Sequence, residues 1–194
     1  MHAHLPRLSR EAYQGLAFVH WSMSLQGRKT GWLDEVRHAR MREALLHAAV
    51  RYRFLVPVYC LMPDHMHFLW VGVATETDQL KASEFFRKHV NTILSPFRFQ
   101  KQPYDNVLRE KDRERNAFRK TAGYILENPV REGLCSSAEQ YPWAGSVVPG
   151  YPDLDVFDKG YWDLFWRLYK AACEGRHVLT HAATVTRAAT PSPA

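Results

Sequence analysis

Cysteine is scarce in this sequence. The 194 residues contain three, Cys60, Cys135 and Cys173, at wide spacings and without a Cys-x-x-Cys pair. An odd number of distant cysteines argues against a disulfide framework or a zinc-finger module and is typical of a reducing cytoplasm. The sequence also lacks an 18-residue apolar run, which excludes a helical membrane span, and its N-terminus lacks the apolar core of a signal peptide. We therefore expect a cytoplasmic protein with no membrane partner.

Acidic residues are outnumbered by basic ones. The chain has 26 Lys and Arg against 20 Asp and Glu, which gives a formal net charge of +6 with neutral histidines. A basic balance suits an anionic partner such as nucleic acid, but charge alone does not establish one. Apolar residues make up 46% of the chain, enough for a buried core.

The apolar pattern predicts the order strand, helix, strand, strand, helix, strand, helix. The strands are expected at 16–25, 55–61, 65–73 and 104–109, and the helices at 34–53, 78–94 and 110–128. Asp34 is the expected cap of the first helix, and Pro129 is expected to end the third. The first six elements match an α+β fold of the ferredoxin-like (RRM-like) type, an antiparallel sheet with helices on one face, to which the third helix is appended.

Four segments follow from this pattern. We expect a flexible arm at 1–12, a folded catalytic domain at 13–150, a helical extension at 151–175 and a disordered tail at 176–194. Residues 143–160 are rich in Gly and Pro and are expected to form surface loops. The aromatic residues at 161–175 have helical spacing, which favours packing against the domain.

Two histidines stand one residue apart in the segment CLMPDHMHFLW. On a strand His65 and His67 share a face, and Met66 and Phe68 point to the opposite face, toward the core. Two imidazoles at this spacing can hold one divalent ion, or they can form hydrogen bonds at the surface of a sheet. A third ligand has to come from another element, because none lies nearby in the sequence.

Common histidine motifs of metal enzymes do not fit. Leu69 stands where an H-x-H-x-D-H hydrolase needs aspartate, and the sequence has no H-E-x-x-H. The barrel amidohydrolases that use H-x-H need about 250 residues.

The predicted third helix offers polar groups on one face. Tyr124 and Asn128 are four residues apart, and Lys120 lies one turn before them. Apolar residues occupy the neighbouring face, so Tyr124 is expected at the edge of the packed surface. A half-buried packing tyrosine with a hydrated hydroxyl is the alternative interpretation.

Several blocks resemble the REP-associated tyrosine transposases, which belong to the single-tyrosine insertion-sequence transposases. CLMPDHMHFLW resembles their histidine–hydrophobic–histidine segment, and YILENPVREGL resembles their catalytic-tyrosine block. YDNVLRE and QYPWAGS resemble the segments before and after that block. The resemblance covers roughly residues 15 to 147, and its main departure is Asn106, where the family often has histidine.

The resemblance implies a ferredoxin-like fold and a metal-dependent single-stranded DNA endonuclease and strand transferase, which forms a 5′-phosphotyrosine intermediate at hairpin-bearing repeat DNA. It implies Tyr124 as the nucleophile, and His65, His67 and Asn128 as ligands of Mg²⁺ or Mn²⁺. Glu127 competes with Asn128 for the third ligand position. Relatives include monomers and homodimers, so the resemblance leaves the oligomeric state open.

Basic residues interleaved with aromatic residues suit single-stranded nucleic acid, through phosphate contacts and base stacking. The expected DNA-binding residues are Arg98, Lys101, Arg109 and Lys120. Two other functions fit the same residues. One is a catalytically inactive relative that acts as a DNA-binding regulator, and the other is a zinc hydrolase of small molecules.

Overall fold

The structure, a computed structural model, describes residues 7–108 and 115–175. Arg109, the first six residues of the predicted arm and the predicted tail at 176–194 lie outside the described residues. In the described ranges, no helix combines the length and the apolar content needed to cross a membrane. The elements are β1 Phe18–Ser24, α1 Glu35–Tyr52, β2 Phe54–Leu61, β3 His65–Gly72, α2 Gln79–Ile93, β4 Tyr104–Leu108, α3 Arg115–Arg131, β5 Ala144–Val147 and α4 Tyr161–Cys173.

The strands form one antiparallel sheet in the order β4-β1-β3-β2-β5. β1 and β3 lie side by side at its centre, with Ser22 opposite His67 and Ser24 opposite His65. The predicted α+β class and its first six elements are confirmed. Pro57 lies at a register shift of β2 against both neighbouring strands, because proline cannot donate to a ladder.

β5 was not predicted, and the expectation of surface loops at 143–160 is wrong for these four residues. The strand is short, contains Gly145 and lies between prolines, so local propensity does not favour it. Tertiary packing favours it instead. A Cβ atom at Gly145 would lie 3.1 Å from the Tyr59 hydroxyl, so glycine lets this strand pair closely with β2.

Helices cover both faces of the sheet. α1 and α2 bury one face around Trp21, Phe68 and Trp70. α3 and α4 bury part of the other face, where Phe118 and Phe165 pack against residues of β2 and β3. The predicted appended helix is therefore α3, and it lies on the face to which the two histidines of β3 belong.

The two helices of the first face begin at side-chain caps. Asp34 accepts a hydrogen bond from the Arg37 amide at 2.7 Å, which confirms the predicted cap of α1. Asp78 accepts one from the Lys81 amide at 3.1 Å and caps α2 in the same way. The negative charge of each carboxylate also interacts favourably with the positive N-terminal end of the helix dipole.

α3 continues through Pro129 to Arg131, so the prediction that Pro129 ends the helix is wrong. Proline has no N–H for the Ile125 carbonyl, and the Asn128 side chain lies 3.4 Å from that oxygen as a donor. The helix ends two residues later, where Leu134 N–H donates to the Pro129 carbonyl at 2.8 Å and Gly133 has a φ of 69°. The Arg-x-Gly-Leu sequence is therefore a helix stop signal.

α4 packs against α3 through its aromatic residues, as its spacing predicts. Phe165 is fully buried between Phe118 and Tyr161. The Tyr161 hydroxyl donates to the Pro57 carbonyl, at the bulge of β2. α4 thus supports the back of α3, whose other face lies on the sheet, chiefly over β2 and β3.

Candidate metal and nucleophile site

His65 and His67 meet at the start of β3. The turn before them is fixed by Trp32, whose indole N–H donates to the Pro63 carbonyl at 2.6 Å, and by Leu25 N–H, which donates to the Asp64 carbonyl at 2.9 Å. The Nε2 atoms of the two histidines lie 2.9 Å apart. The predicted shared face is therefore present, and both rings point to one place.

Asp64 orients His65. Its Oδ1 atom lies 2.6 Å from His65 Nδ1, and its Oδ2 atom lies 3.3 Å from Arg28 Nε. An ionised carboxylate only accepts hydrogen bonds, so His65 Nδ1 carries the proton. In the neutral ring, Nε2 then keeps a lone pair that faces His67.

A third histidine, His20, lies beside the pair and was not among the predicted site residues. His20 lies in β1, is 8% exposed, and its Nε2 atom is 3.1 Å from His67 Nδ1. Strand alternation places His20 opposite the core residues Val19 and Trp21, on the same face as the histidine pair. That alternation was the available signal, but only the sheet order shows that β1 adjoins β3.

Burial keeps two of these rings neutral. Burial lowers the pKa of His20 to about 4. Burial, followed by the proximity of His20 and His65, lowers the pKa of His67 to about 3. Both rings are therefore uncharged near pH 7, and each retains one nitrogen lone pair for a hydrogen bond or a metal ion.

α3 brings Tyr124 to this cluster within the same chain. Its ring is edge-on to His67 and His20, with centroid distances of 5.9 and 6.1 Å. Tyr124 is 42% exposed, whereas Ala122 and Ile125 on the neighbouring helix face are buried, as predicted. The phenol therefore lies beside the histidines and remains open to a large substrate.

Arg131 lies over the Tyr124 ring, and the sequence interpretation missed it. Its guanidinium carbon is 4.9 Å from the ring centroid. The two residues are seven apart on α3, which is two helical turns, and this spacing was the signal that could have found the pair. The contact is a cation–π interaction that holds a permanent positive charge against the ring.

Asn128 lies one turn after Tyr124 and is 7% exposed. Its amide nitrogen donates to the Tyr124 carbonyl at 2.8 Å and lies 3.4 Å from the Ile125 carbonyl. These contacts orient the side chain and leave its oxygen as the atom that can bind a cation. Glu127 is exposed on another part of the helix surface.

The donor set fits a divalent ion. Two nitrogens that each lie about 2.1 Å from an ion, at about 90° to each other, are about 3 Å apart, close to the 2.9 Å between the two Nε2 atoms. Among the described residues, no group of three or more His, Cys, Asp or Glu is arranged to hold a metal ion. A site at the histidine pair therefore needs a different third ligand, such as the Asn128 amide oxygen or a phosphate oxygen.

The predicted DNA-binding residues within the described ranges are all exposed. Lys120 lies on α3, one turn before Tyr124. Arg98 and Lys101 lie on the loop before β4, which runs along the end of β1, where Gln26 N–H donates to the Arg98 carbonyl at 2.8 Å. Asn106, which stands where the resembled family often has histidine, pairs with His20 across β4 and β1.

The chain was compared with known proteins in three ways. A scan against protein-family models found no match, and neither did a search of the curated proteins. Among solved structures, the chain is similar to a REP-associated tyrosine transposase bound to a REP hairpin, with a TM-score of 0.60 and 19% sequence identity. The match covers 73% of this chain and 81% of the other. At this identity the likeness shows the fold, which agrees with the predicted class.

Proposed function

We propose that this chain is a REP-associated tyrosine transposase that cuts and rejoins single-stranded DNA at hairpin-bearing repeats. The observation that carries the proposal is the position of the Tyr124 phenol, with its ring centroid 5.9 Å from that of His67 in the same chain. The likeness of the fold to a transposase that binds a hairpin, and the matching sequence blocks, support the same conclusion.

In the proposed reaction, the Tyr124 oxygen loses its proton and attacks the scissile phosphorus. A new bond joins the phenolic oxygen to the 5′-phosphate, the bond to the 3′-oxygen breaks, and that oxygen leaves as a 3′-hydroxyl after taking up a proton. One phosphodiester replaces another, so the reverse reaction can join a different 3′-end without ATP.

The residues around Tyr124 have distinct parts in this reaction. Arg131 stabilises negative charge at the phenol and the phosphate, and Lys120 contacts the DNA backbone. His65, His67 and the Asn128 oxygen would hold Mg²⁺ or Mn²⁺, which would polarise the scissile phosphate. A ligand set of two imidazoles and an amide brings no negative charge, so it would leave the ion's charge available to the substrate.

Within the described residues, Tyr124 and the histidines meet without a contribution from a second subunit. Tyr124 and the three histidines belong to one chain, and α3 reaches them directly from its own sheet. We therefore propose that a single chain is competent for cleavage, whether or not two chains act together in strand transfer.

The test uses single-stranded oligonucleotides made from palindromes that flank the coding region, incubated with the protein and Mn²⁺. We expect a covalent protein–DNA adduct on denaturing gels, with the label retained when it is 3′ of the cut. The released fragment should be extended by a polymerase, because it ends in a 3′-hydroxyl. Specific binding without an adduct would support the DNA-binding regulator and contradict the transposase.

Asn128 and Glu127 give a matched pair of variants for the third ligand. Asn128→Ala should lower Mn²⁺-dependent cleavage by about tenfold or more, because it removes the oxygen ligand. It should also destabilise the protein by about 1 kcal/mol through its lost hydrogen bonds to α3. Asn128→Asp retains an oxygen and should preserve Mn²⁺ binding, and Glu127→Gln should change neither quantity.

DNA cleavage, and Mn²⁺ binding measured by titration calorimetry, are compared in all three variants. Together they decide whether Asn128 or Glu127 is the third ligand. Loss of both in Glu127→Gln, with Asn128→Ala unaffected, would assign Glu127 instead.

A further inference from the structure

We propose that His20 is a positioning residue that sets the tautomer of His67, and that the two rings change tautomer together when a divalent ion binds. The inference rests on the proposed metal site at His65 and His67. It concerns residues of this chain alone and can be observed without DNA.

The rings form one continuous chain of nitrogen contacts. Asp64 lies 2.6 Å from His65 Nδ1, the His65 and His67 Nε2 atoms are 2.9 Å apart, and His67 Nδ1 is 3.1 Å from His20 Nε2. Both nitrogens of His67 are therefore engaged, one on each edge of its ring. His20 contacts the edge opposite to the proposed ion, so it is not a ligand in this arrangement.

The tautomer of His65, at one end of this series of contacts, is fixed. The Asp64 carboxylate accepts a hydrogen bond from the His65 Nδ1–H group and forms a salt bridge with Arg28 Nε at 3.3 Å. His65 Nε2 is then an acceptor, whether its partner is a proton or a metal ion. Only the tautomers of His67 and His20 can then change.

Without an ion, one arrangement satisfies every contact. His67 carries its proton on Nε2 and donates to His65 Nε2, and His20 carries its proton on Nε2 and donates to His67 Nδ1. The opposite assignment would place two lone pairs 2.9 Å apart at the Nε2 atoms, with no positive charge between them. Lone-pair repulsion therefore selects the Nε2–H form of both rings.

With an ion, the same geometry requires the opposite assignment. Both Nε2 lone pairs then point to the cation, so the His67 proton moves to Nδ1. That proton needs an acceptor in a buried place, and His20 Nε2 at 3.1 Å provides it once the His20 proton has moved to its own Nδ1. Each ring remains neutral and the number of protons stays constant.

His20 is suited to this task because it can both donate and accept at one atom. A carboxylate at this position would only accept, and it would bury an uncompensated charge in the absence of the ion. His20 is 8% exposed and His67 is 5% exposed, so water has little access to replace the hydrogen bond between them. The hydrogen bond between them therefore holds the ring of His67 in place in both states.

The test reads tautomers directly in the full-length protein labelled with ¹⁵N-histidine, by long-range ¹H–¹⁵N correlation NMR at constant pH. Zn²⁺ serves as a diamagnetic probe. We expect Nε2–H forms of His20 and His67 without Zn²⁺ and Nδ1–H forms of both with it, while His65 remains Nδ1–H throughout. A His20 tautomer that is the same in both states overturns the inference.

Two variants separate positioning from packing. His20→Phe keeps a ring but cannot donate or accept, and should weaken Zn²⁺ binding by about 10- to 100-fold. His20→Gln offers a donor and an acceptor on one amide and should bind Zn²⁺ within a few-fold of the unmodified protein. Thermal unfolding followed by circular dichroism reports whether each variant is folded.

The outcomes distinguish this inference from the proposed function. Unchanged Zn²⁺ affinity in folded His20→Phe overturns the role of His20 and leaves the metal site intact. If Zn²⁺ does not perturb the His65 and His67 nitrogens of the unmodified protein, the metal site itself is wrong, and this inference falls with it. Should His20→Phe fail to fold, the role of His20 is decided by the tautomers of the unmodified protein and by the Zn²⁺ affinity of His20→Gln.

Discussion

Tyr124→Phe is expected to abolish the covalent protein–DNA adduct and all strand transfer, which is the largest effect of any single substitution in this chain. The variant removes only the hydroxyl that would attack phosphorus. The ring contacts with His67, His20 and Arg131 do not involve that oxygen, so the fold and DNA affinity should be preserved. Adduct formation on denaturing gels and DNA binding by fluorescence anisotropy measure the two quantities separately.

Tyr104 provides a demanding control for this assignment. It is 54% exposed and belongs to the same face of the sheet, because it pairs with Ser22, which pairs with His67. Two strand spacings separate it from His67, about 10 Å. Tyr104→Phe should form the adduct at the normal rate. An adduct that survives in Tyr124→Phe and disappears in Tyr104→Phe would identify Tyr104, on β4, as the nucleophile.

His65→Ala is expected to abolish the metal dependence of cleavage, with activity falling about 100-fold or more, since it removes one of two nitrogens at the ion. His65 lies at the rim of the site, so its loss should affect folding less than that of the buried His67. His67→Ala should be equally inactive. It should also be destabilised by about 1–3 kcal/mol, because His20 and His65 lose a partner.

His89 supplies the matched control. It is an exposed histidine on α2, on the opposite side of the sheet, and its ring contacts the Phe85 carbonyl. His89→Ala should retain both cleavage and Mn²⁺ binding. If His65→Ala cleaves normally in the presence of a chelator, the metal mechanism is wrong.

The combination of these variants also separates the transposase from a metal hydrolase. A hydrolase would use water as its nucleophile, so cleavage would require His65 and would persist in Tyr124→Phe without an adduct. A transposase requires both residues. The position of Tyr124 beside His67 favours the second outcome.

The periodicity of the sequence was sufficient for most of the fold. Alternating apolar residues predicted β1 and β3, and apolar residues at helical spacing predicted α1 and α2 with the Asp34 cap. These patterns succeed because each element buries one face, which leaves a period of 2 or 3.6 in the sequence. The same rule placed His65 and His67 on one face of a strand, and Tyr124 at the edge of the buried surface of α3.

Local rules failed where packing overrides them. Pro129 should end a helix, yet α3 continues to Arg131, and the Asn128 side chain lies 3.4 Å from the Ile125 carbonyl that proline leaves without its usual donor. β5 has poor strand propensity and exists because β2 offers an unpaired edge beside Gly145. The partner of β5 lies about 90 residues away in the sequence, on β2, and cannot be found in a pattern read along a single segment.

By itself the sequence determined which residues can do chemistry and which face of each element they occupy. Only the tertiary structure decided which of those faces meet: that β1 lies beside β3, which brings His20 to His67, and that α3 crosses the same face, which brings Tyr124 and Arg131 to both. The reason is that side-chain direction follows from the local backbone, whereas the neighbours of a strand or helix follow from burying all apolar faces at once.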